Sequence, residues 1–503
     1  MDWQGIFHGF VTVLQPENIL FVMFGGFLGT IVGMLPGLGP ATAIAVLIPV
    51  TFGMDPTSAL IFMATIYYGA MYGGSLSSIL INTPGDGSAV AATFDGYQMA
   101  KQGRAGPAIA ITAIGSLIGG AVAVIGFMFL AKPLASFALQ FGPAEYFLLM
   151  LFTLSAVVAL STGNLVKGFI SMGFGLMLST IGIDLQTGVY RFTFDNVFLS
   201  DGIDFLVIII GVYAIGEVLY NYLTIDKPAG KKTKYGRVWI TKDDWKRSKW
   251  PIFRSSPLGF LVGILPGAGG SIASMMAYST EKQLSKKPER FGKGAIEGLA
   301  APETANNSAA VGAFVPLLTM GIPGSGTTAI MLGALIMLGI NPGPLLFESD
   351  PNMVWSLVDA LFLGNIFLFL INIYMVRVFV KVLDIPSKIL YPIILVLAFI
   401  GAYTMNYAII DFYILIIFGV IGLFMKLYDF PIAPLVLALI VGSQMEQNFR
   451  KSIVASDGSL DIFVGSPIAI VLLILTILSL IYPLIMNVRR KKWEAKTDEQ
   501  SSL

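Results

Sequence analysis

Residues 29–39 read GTIVGMLPGLG, and residues 259–269 read GFLVGILPGAG. Seven of the eleven positions match at an offset of 259 − 29 = 230: Gly29/Gly259, Val32/Val262, Gly33/Gly263, Leu35/Leu265, Pro36/Pro266, Gly37/Gly267 and Gly39/Gly269. In each copy an apolar run stops at a Pro-Gly step. Proline cannot donate a backbone hydrogen bond, and glycine adopts dihedrals that other residues avoid. The step therefore ends one helix and exposes the N-terminus of the next. Glycines four apart ahead of it (Gly25, Gly29, Gly33; Gly259, Gly263) let a second helix approach closely.

The solvent around these breaks follows from composition. Hydrophobic residues are 55% of the 503, charged residues 12%, and mean hydropathy is +0.79. A soluble domain carries about a quarter charged residues. Apolar runs such as 203–223 and 468–486 are long enough to cross a bilayer. The chain reads as an all-α polytopic integral membrane protein. A net charge of +1 gives no reason to expect a nucleic-acid partner. There is no cysteine, and His8 is the only histidine, which removes thiolate chemistry and leaves little material for a zinc or haem site. The start, MDWQGIFHGF, lacks a basic segment, so no cleavable signal peptide is expected.

Positive charge marks cytoplasmic loops. The first Lys or Arg is Lys101, whereas 226–254 holds ten of them against three Asp. That stretch, taken as a basic linker over 226–255, is assigned to the cytoplasm, as is the tail VRRKKWEAK (488–496). Walking backward, crossings fall at 203–225, 165–182, 144–160, 106–130 and 59–82. Forward of the linker, 256–278 is apolar but basic on both flanks, with Lys282, Lys286, Lys287, Arg290 and Lys293 following. Twenty-three residues are too few for two crossings of ~20 each. A re-entrant hairpin with its tip at LPGAGG satisfies both flanks. Crossings at 294–321, 354–377, 389–404, 407–425, 431–446 and 467–487 complete the path, with Arg450 and Lys451 on its outer side against the charge rule. The same hairpin applied to 18–52 enters from outside, because Glu17 and Asp55 flank it; a plain kinked crossing is the alternative there. The expectation is eleven crossings and two hairpins, with the N-terminus outside and the C-terminus inside.

A second motif repeats. TPGDGS (83–88) and IPGSGT (322–327) share Pro-Gly-x-Gly-Ser/Thr at an offset of 323 − 84 = 239. The loop after the first is basic and the loop after the second acidic, so the two halves, 18–225 and 256–446, point oppositely through the membrane. The remainder, 447–503, supplies a last span and the tail. Inverted repeats with discontinuous helices are the mark of secondary transporters. Exposed helix N-termini attract anions, and freed carbonyls hold cations. Broken backbone inside a bilayer is tolerated only where protein buries it or it lines a cavity.

Polar groups inside apolar spans are costly and tend to be functional. GLAAPETANNSAAVG (298–312) carries Glu303, Thr304, Asn306, Asn307 and Ser308, and Pro302 is expected to break its helix. YGGSLSSILINTPGDG (72–87) carries Ser75, Ser77, Ser78, Asn82, Thr83 and Asp86. A structural hydrogen-bond knot is the plain alternative for the first cluster, and a helix N-cap for Asp86. Tyr67, Tyr68 and Tyr72 read as packing residues. GIPGSGTT (321–328) looks like a phosphate loop but lacks its lysine. Paired aspartates of an intramembrane protease would need a Gly-x-Gly-Asp, which does not occur.

Taken together, three stretches resemble the large membrane subunit of tripartite tricarboxylate transporters, the TctA family: residues 33–105 from GMLPGLGPATAIAVLIPVTFGMDP onward, residues 281–335 around APETANNSAA and MGIPGSGTT, and FPIAPLVLALIVGSQMEQNFRKSI (430–453). The resemblance runs from about residue 18 to the last span. It implies a bacterial inner-membrane permease working with a small TctB-like membrane subunit and a secreted TctC-like solute-binding protein. It also implies uptake of an organic anion, a di- or tricarboxylate such as citrate, driven by Na⁺ or H⁺, without a cofactor beyond a coupling ion. On that reading the substrate lies against the helix starts at Gly37, Gly39, Gly87, Gly267, Gly269 and Gly326. Ser78, Asn82, Ser271, Asn307, Ser325, Thr327 and Thr328 assist. Asp86, Glu303, Thr304 and Asn306 serve the coupling cation. A passive anion channel and, further off, an intramembrane hydrolase are the rival readings.

Overall fold

The structure is a computed structural model that describes residues 2–35, 37–161, 164–184, 186–224, 236–383, 385 and 387–481. Pro36, the first part of the basic linker (225–235) and the tail from 482 onward lie outside the described residues. Helix dominates, and among the described residues the strands are one antiparallel pair, Gly182–Ile183 with Tyr190–Arg191. Eight described helices are long and apolar enough to cross a membrane, so this is a multi-pass membrane protein. Four shorter apolar helices accompany them: Pro40–Thr51, Leu165–Ser179, Gly326–Met337 and Pro467–Ile481.

The described residues fall in two compact units, Met1–Leu139 with Asp204–Tyr428, and Gln140–Ile203 with Asp429–Leu503. The first holds both Pro-Gly motifs. In its first half an upstream arm, Pro16–Gly33, stops at the break; a downstream arm, Pro40–Leu47, follows; and a central helix, Pro56–Ile81, packs on both. In its second half the upstream arm is Lys242–Ile264, the downstream arm Gly269–Leu284, and the central helix Ile296–Gly312. Both central helices are buried on nearly every face. A helix surrounded by protein can carry polar side chains that lipid would reject.

The repeated glycines explain how arm and central helix meet. A Cβ on Gly29 would stand 2.3 Å from the Ile66 carbonyl, and one on Gly33 2.1 Å from that of Ala70. A Cβ on Gly259 would stand 2.3 Å from the Ala305 carbonyl, and one on Gly263 2.3 Å from that of Ala309. The partners Ile66/Ala305 and Ala70/Ala309 are offset by 239 residues, the offset of the second motif. The sequence repeat is thus also a repeat of contacts.

Two expectations need correction. Ile296–Gly312 runs unbroken through Pro302. The proline forfeits one bond, to the carbonyl of Gly298, and burial on every side holds the rest of the helix together. The basic stretch ahead of the second break is not all loop: from Lys242 it is helical and continuous with the upstream arm. Thr241 and Asp244 cap it reciprocally, with Thr241 N–H donating to Asp244 Oδ2 (3.0 Å) and Asp244 N–H to Thr241 Oγ1 (3.2 Å). The stretch 294–321 divides into Ile296–Gly312 and Phe314–Met320.

In the second unit Leu165–Ser179 and Pro143–Leu160 pack on Ile432–Ala455. Arg450, which strained the charge rule, is paired there: it donates to Asp184 at 2.9 Å and lies 2.5 Å from Glu446, which also accepts from Arg191 at 2.8 Å. The Gln186 backbone N–H, aided by Arg450, holds the Asp184 carboxyl down to about 2. A neutralised arginine is compatible with either side of a membrane.

Candidate functional site

The broken segments of each half close on their own arm. Gly39 N–H donates to the Gly85 carbonyl at 3.2 Å, and Gly267 N–H donates to the Gly324 carbonyl at 3.1 Å. Gly85 and Gly324 are equivalent by the 239 offset, and each abuts the carbonyl of its arm's last repeated glycine, Gly33 or Gly263. A Cβ on Gly39 would stand 2.6 Å from Asp86 Cβ, and one on Gly269 3.3 Å from Ser325 Cβ. Asp86 and Ser325 are again equivalent. Each side chain therefore sits where a downstream arm begins.

The halves also meet one another here. A Cβ on Gly87 would lie 2.9 Å from Ser271 Oγ, and one on Gly270 would lie 2.3 Å from Asn306 Oδ1 and 3.3 Å from Ser88 Cβ. Ser88 Oγ donates to Asp86 Oδ1 at 2.7 Å. From the first central helix, the Tyr67 hydroxyl lies 3.4 Å from Ser325 Oγ. Ser325 caps Gly326–Met337 in a box with Thr328: Thr328 N–H donates to Ser325 Oγ (3.2 Å) and Ser325 N–H to Thr328 Oγ1 (2.9 Å). One locus thus collects Asp86, Ser88, Ser271, Asn306, Ser325 and Tyr67, next to the starts of the helices Gly269–Leu284 and Gly326–Met337.

Beside it runs a second line of polar groups on Ile296–Gly312. Ser75 Oγ donates to Glu303 Oε2 at 2.5 Å, and Asn307 Nδ2 donates to Ser116 Oγ at 2.6 Å. Glu303, Asn306 and Asn307 share one helix face at spacings of three and four. Glu303 is 1% exposed and the two asparagines 0%, yet Glu303 Oε1, both amide atoms of Asn306 and Asn307 Oδ1 have no protein partner. Nearly all buried polar groups in proteins are paired, so four orphans on one face make this stretch the candidate for a bound group.

Other expected site residues serve turns or bond back to the backbone. Ser78 Oγ bonds back to the carbonyls of Gly74 (2.8 Å) and Ala89 (3.0 Å). Asn82 is exposed and ends the first central helix in a left-handed conformation, φ 57°. Thr304 Oγ1 is satisfied by the Ala300 carbonyl at 2.8 Å and faces Gly115 on Ala105–Ala138. Gly37 (φ +82°) and Gly267 (φ +79°) take the left-handed turns that the breaks require. Thr327 is buried one residue into its helix.

Tyr67 is buried, as its reading as a packing residue expects, and its hydroxyl also reaches Ser325; 67 + 239 is 306, so Tyr67 and Asn306 are repeat partners. Sequence reading missed Ser116. Asp95 was missed as well: it accepts backbone N–H groups from Gly292 (3.1 Å), Gly294 (2.7 Å) and Ala295 (2.7 Å) and the Tyr278 hydroxyl (3.1 Å). That carboxylate fixes the entry to the second central helix.

The model of the tripartite tricarboxylate transporter TctA family matches residues 19–437, which include every candidate site residue above. The chain belongs to the TctA family. It is 42% identical over 492 residues to an uncharacterized 52.8 kDa protein of the TAR-I ttuC′ 3′ region of Agrobacterium vitis, covering 98% of both chains. It is 41% identical over 234 residues to a protein of the TAR-II ttuC′ 3′ region of the same organism, covering 46% of this chain and 97% of the relative. No solved structure matches the chain. TctA is a transporter family, so the breaks and the orphaned groups belong to a transport protein.

Proposed function

We propose that this TctA chain is the permease subunit of a binding-protein-dependent secondary transporter that imports a small organic anion, a di- or tricarboxylate. The observation that carries the reading is the meeting of the two halves' breaks. Asp86–Ser88 of one abuts Ser271 and Asn306 of the other, and Tyr67 of one reaches Ser325 of the other. Helix starts with their free N–H groups are suited to carboxylates. Asp86 and Glu303 repel a carboxylate in the same place. A substrate anion therefore binds there well only when a cation neutralises them, and that requirement couples the two. Glu303 Oε1, Asn306 Oδ1 and Asn307 Oδ1 are unpartnered oxygens of the kind that suits Na⁺; protonation of Glu303 would serve H⁺ coupling.

The chain sits in the bacterial inner membrane with its N-terminus outside and C-terminus in the cytoplasm. The two arm pairs are re-entrant hairpins entering from opposite faces, and the inverted halves supply outward and inward access. Its partners are a small membrane subunit and an extracytoplasmic binding protein that delivers the substrate. The test is uptake by proteoliposomes containing all three components, with candidate carboxylates under imposed Na⁺ or H⁺ gradients. Uptake that needs both a gradient and the binding protein is expected. Uptake that needs neither would make the chain a passive channel.

A further inference from the structure

The first break touches an ion pair whose carboxylate is buried. Glu217 lies in the span Phe205–Thr224, two residues past a π-helical turn at Gly211–Ile215, and Lys426 lies at the end of the span Ile410–Leu427. Their carboxylate and ammonium form a salt bridge, with Glu217 2% and Lys426 23% exposed along the side chain. Asn221 Nδ2 donates to Glu217 Oε1 at 3.1 Å, and Lys426 Nζ stands 5.6 Å over the Tyr220 ring. The group presses on the break itself: a Cβ on Gly37 would lie 2.4 Å from Glu217 Oε1 and 3.3 Å from Asn221 Nδ2. The turn already requires glycine at Gly37 (φ +82°), and the carboxylate lies in the space that a side chain there would fill. Ionisable pairs inside membrane spans are costly and mark pathways.

We infer that Lys426, with Asn221, is a further binding group for the substrate's carboxylates, and that Glu217 occupies its place in this structure as an internal carboxylate. The inference rests on the anion-transport reading above. Helix starts offer only about half a charge each, and the side chains at the breaks, Asp86 and Glu303, are acidic. A polycarboxylate needs a full positive charge, and Glu217 is what links such a charge to the first break. A substrate carboxylate exchanges with that of Glu217 on Lys426 Nζ and Asn221 Nδ2. The displaced Glu217 then joins Asp86 and Glu303 as a carboxylate for the coupling cation to neutralise.

A neutral pair separates this role from a structural one. Glu217→Gln, Lys426→Met and the double variant would be purified with the small membrane subunit. Melting temperature would be followed against citrate, succinate and malate in turn. If the pair only supports packing, E217Q/K426M removes both charges together and binds like wild type. On the inference, the double variant assembles normally but its half-saturation concentration rises at least about tenfold. Glu217→Gln alone, which frees Lys426, lowers it. A double variant with wild-type half-saturation overturns the inference. Should that variant fail to assemble, half-saturation in Glu217→Gln at or above wild type overturns it as well. A wild-type complex that none of the three anions stabilises would instead sink the anion-transport reading, and this inference with it.

Discussion

Replacing Gly263 with alanine tests the packing that builds each half. The added Cβ would stand 2.3 Å from the Ala309 carbonyl oxygen, 2.7 Å from its Cα and 2.8 Å from its carbonyl carbon. Ordinary contact begins at 3.4 Å, so the arm must retreat about 1 Å from a helix that is buried on every side. The obstacles are backbone atoms, which no rotamer change can move. Overpacking of this kind costs about 1–3 kcal/mol. The equivalent Gly33→Ala meets the Ala70 carbonyl at 2.1 Å and should cost as much or slightly more. The control is Gly173→Ala: nothing lies within 4 Å of its Cβ, so the helix gains up to about 1 kcal/mol from the better helix former. Thermal unfolding of the purified complex, with uptake measured in parallel, gives the comparison. Gly33→Ala and Gly263→Ala should both melt lower and transport poorly, with Gly173→Ala at or above wild type. Melting of Gly263→Ala at the wild-type temperature would refute the close approach of arm and central helix.

Three further outcomes are expected. Ser325→Ala removes the cap of Gly326–Met337, costing about 1 kcal/mol by the usual scale of such caps, and it should also weaken substrate binding, read as a raised KM for uptake. Asp95→Asn replaces a carboxylate holding three backbone N–H groups and a tyrosine hydroxyl with a group that must turn N–H donors toward them; limited proteolysis should then cut within 285–295 faster than in wild type. Asp184 is ionised in the fold at a lower pH than in the unfolded chain, where a carboxyl titrates near about 3.9. Its stabilising contribution is therefore complete above that value and fades only as pH falls toward about 2. Asp184→Asn should accordingly lower the melting temperature by the same amount at pH 5 and at pH 8, and a penalty that shrinks between them would contradict the pairing with Gln186 and Arg450.

Much of this arrangement can be read from sequence because Pro-Gly steps and small-residue spacing act locally. A helix ends where a donor is missing, and two helices close where side chains are missing, so both breaks and the Gly29/Gly33 and Gly259/Gly263 faces were legible. The polar face of Ile296–Gly312 was legible because Glu, Asn and Asn in an apolar protein have few cheap explanations. What failed depended on context. Pro302 looked like a breaker because propensity ignores the packing that holds its helix together. Lys242–Arg254 looked like loop because charge suggested water, whereas basic residues also fit a capped helix that pairs Arg247 with Glu297 and Arg254 with Glu281. Tyr67 read as packing and is buried, but no local pattern could show that its hydroxyl reaches Ser325, 258 residues away. Lys426 and Glu217 are 426 − 217 = 209 residues apart, and no local pattern joins them.

The central claim is that the face carrying Asn306 and Asn307 at the meeting of the two breaks handles substrate and coupling ion. Its most direct test is gradient-driven carboxylate uptake by three-component proteoliposomes of wild type, Asn306→Ala and Asn307→Ala, matched for inserted protein and melting temperature. The account predicts that both variants insert and fold like wild type and lose uptake. Near-wild-type uptake by both would contradict it.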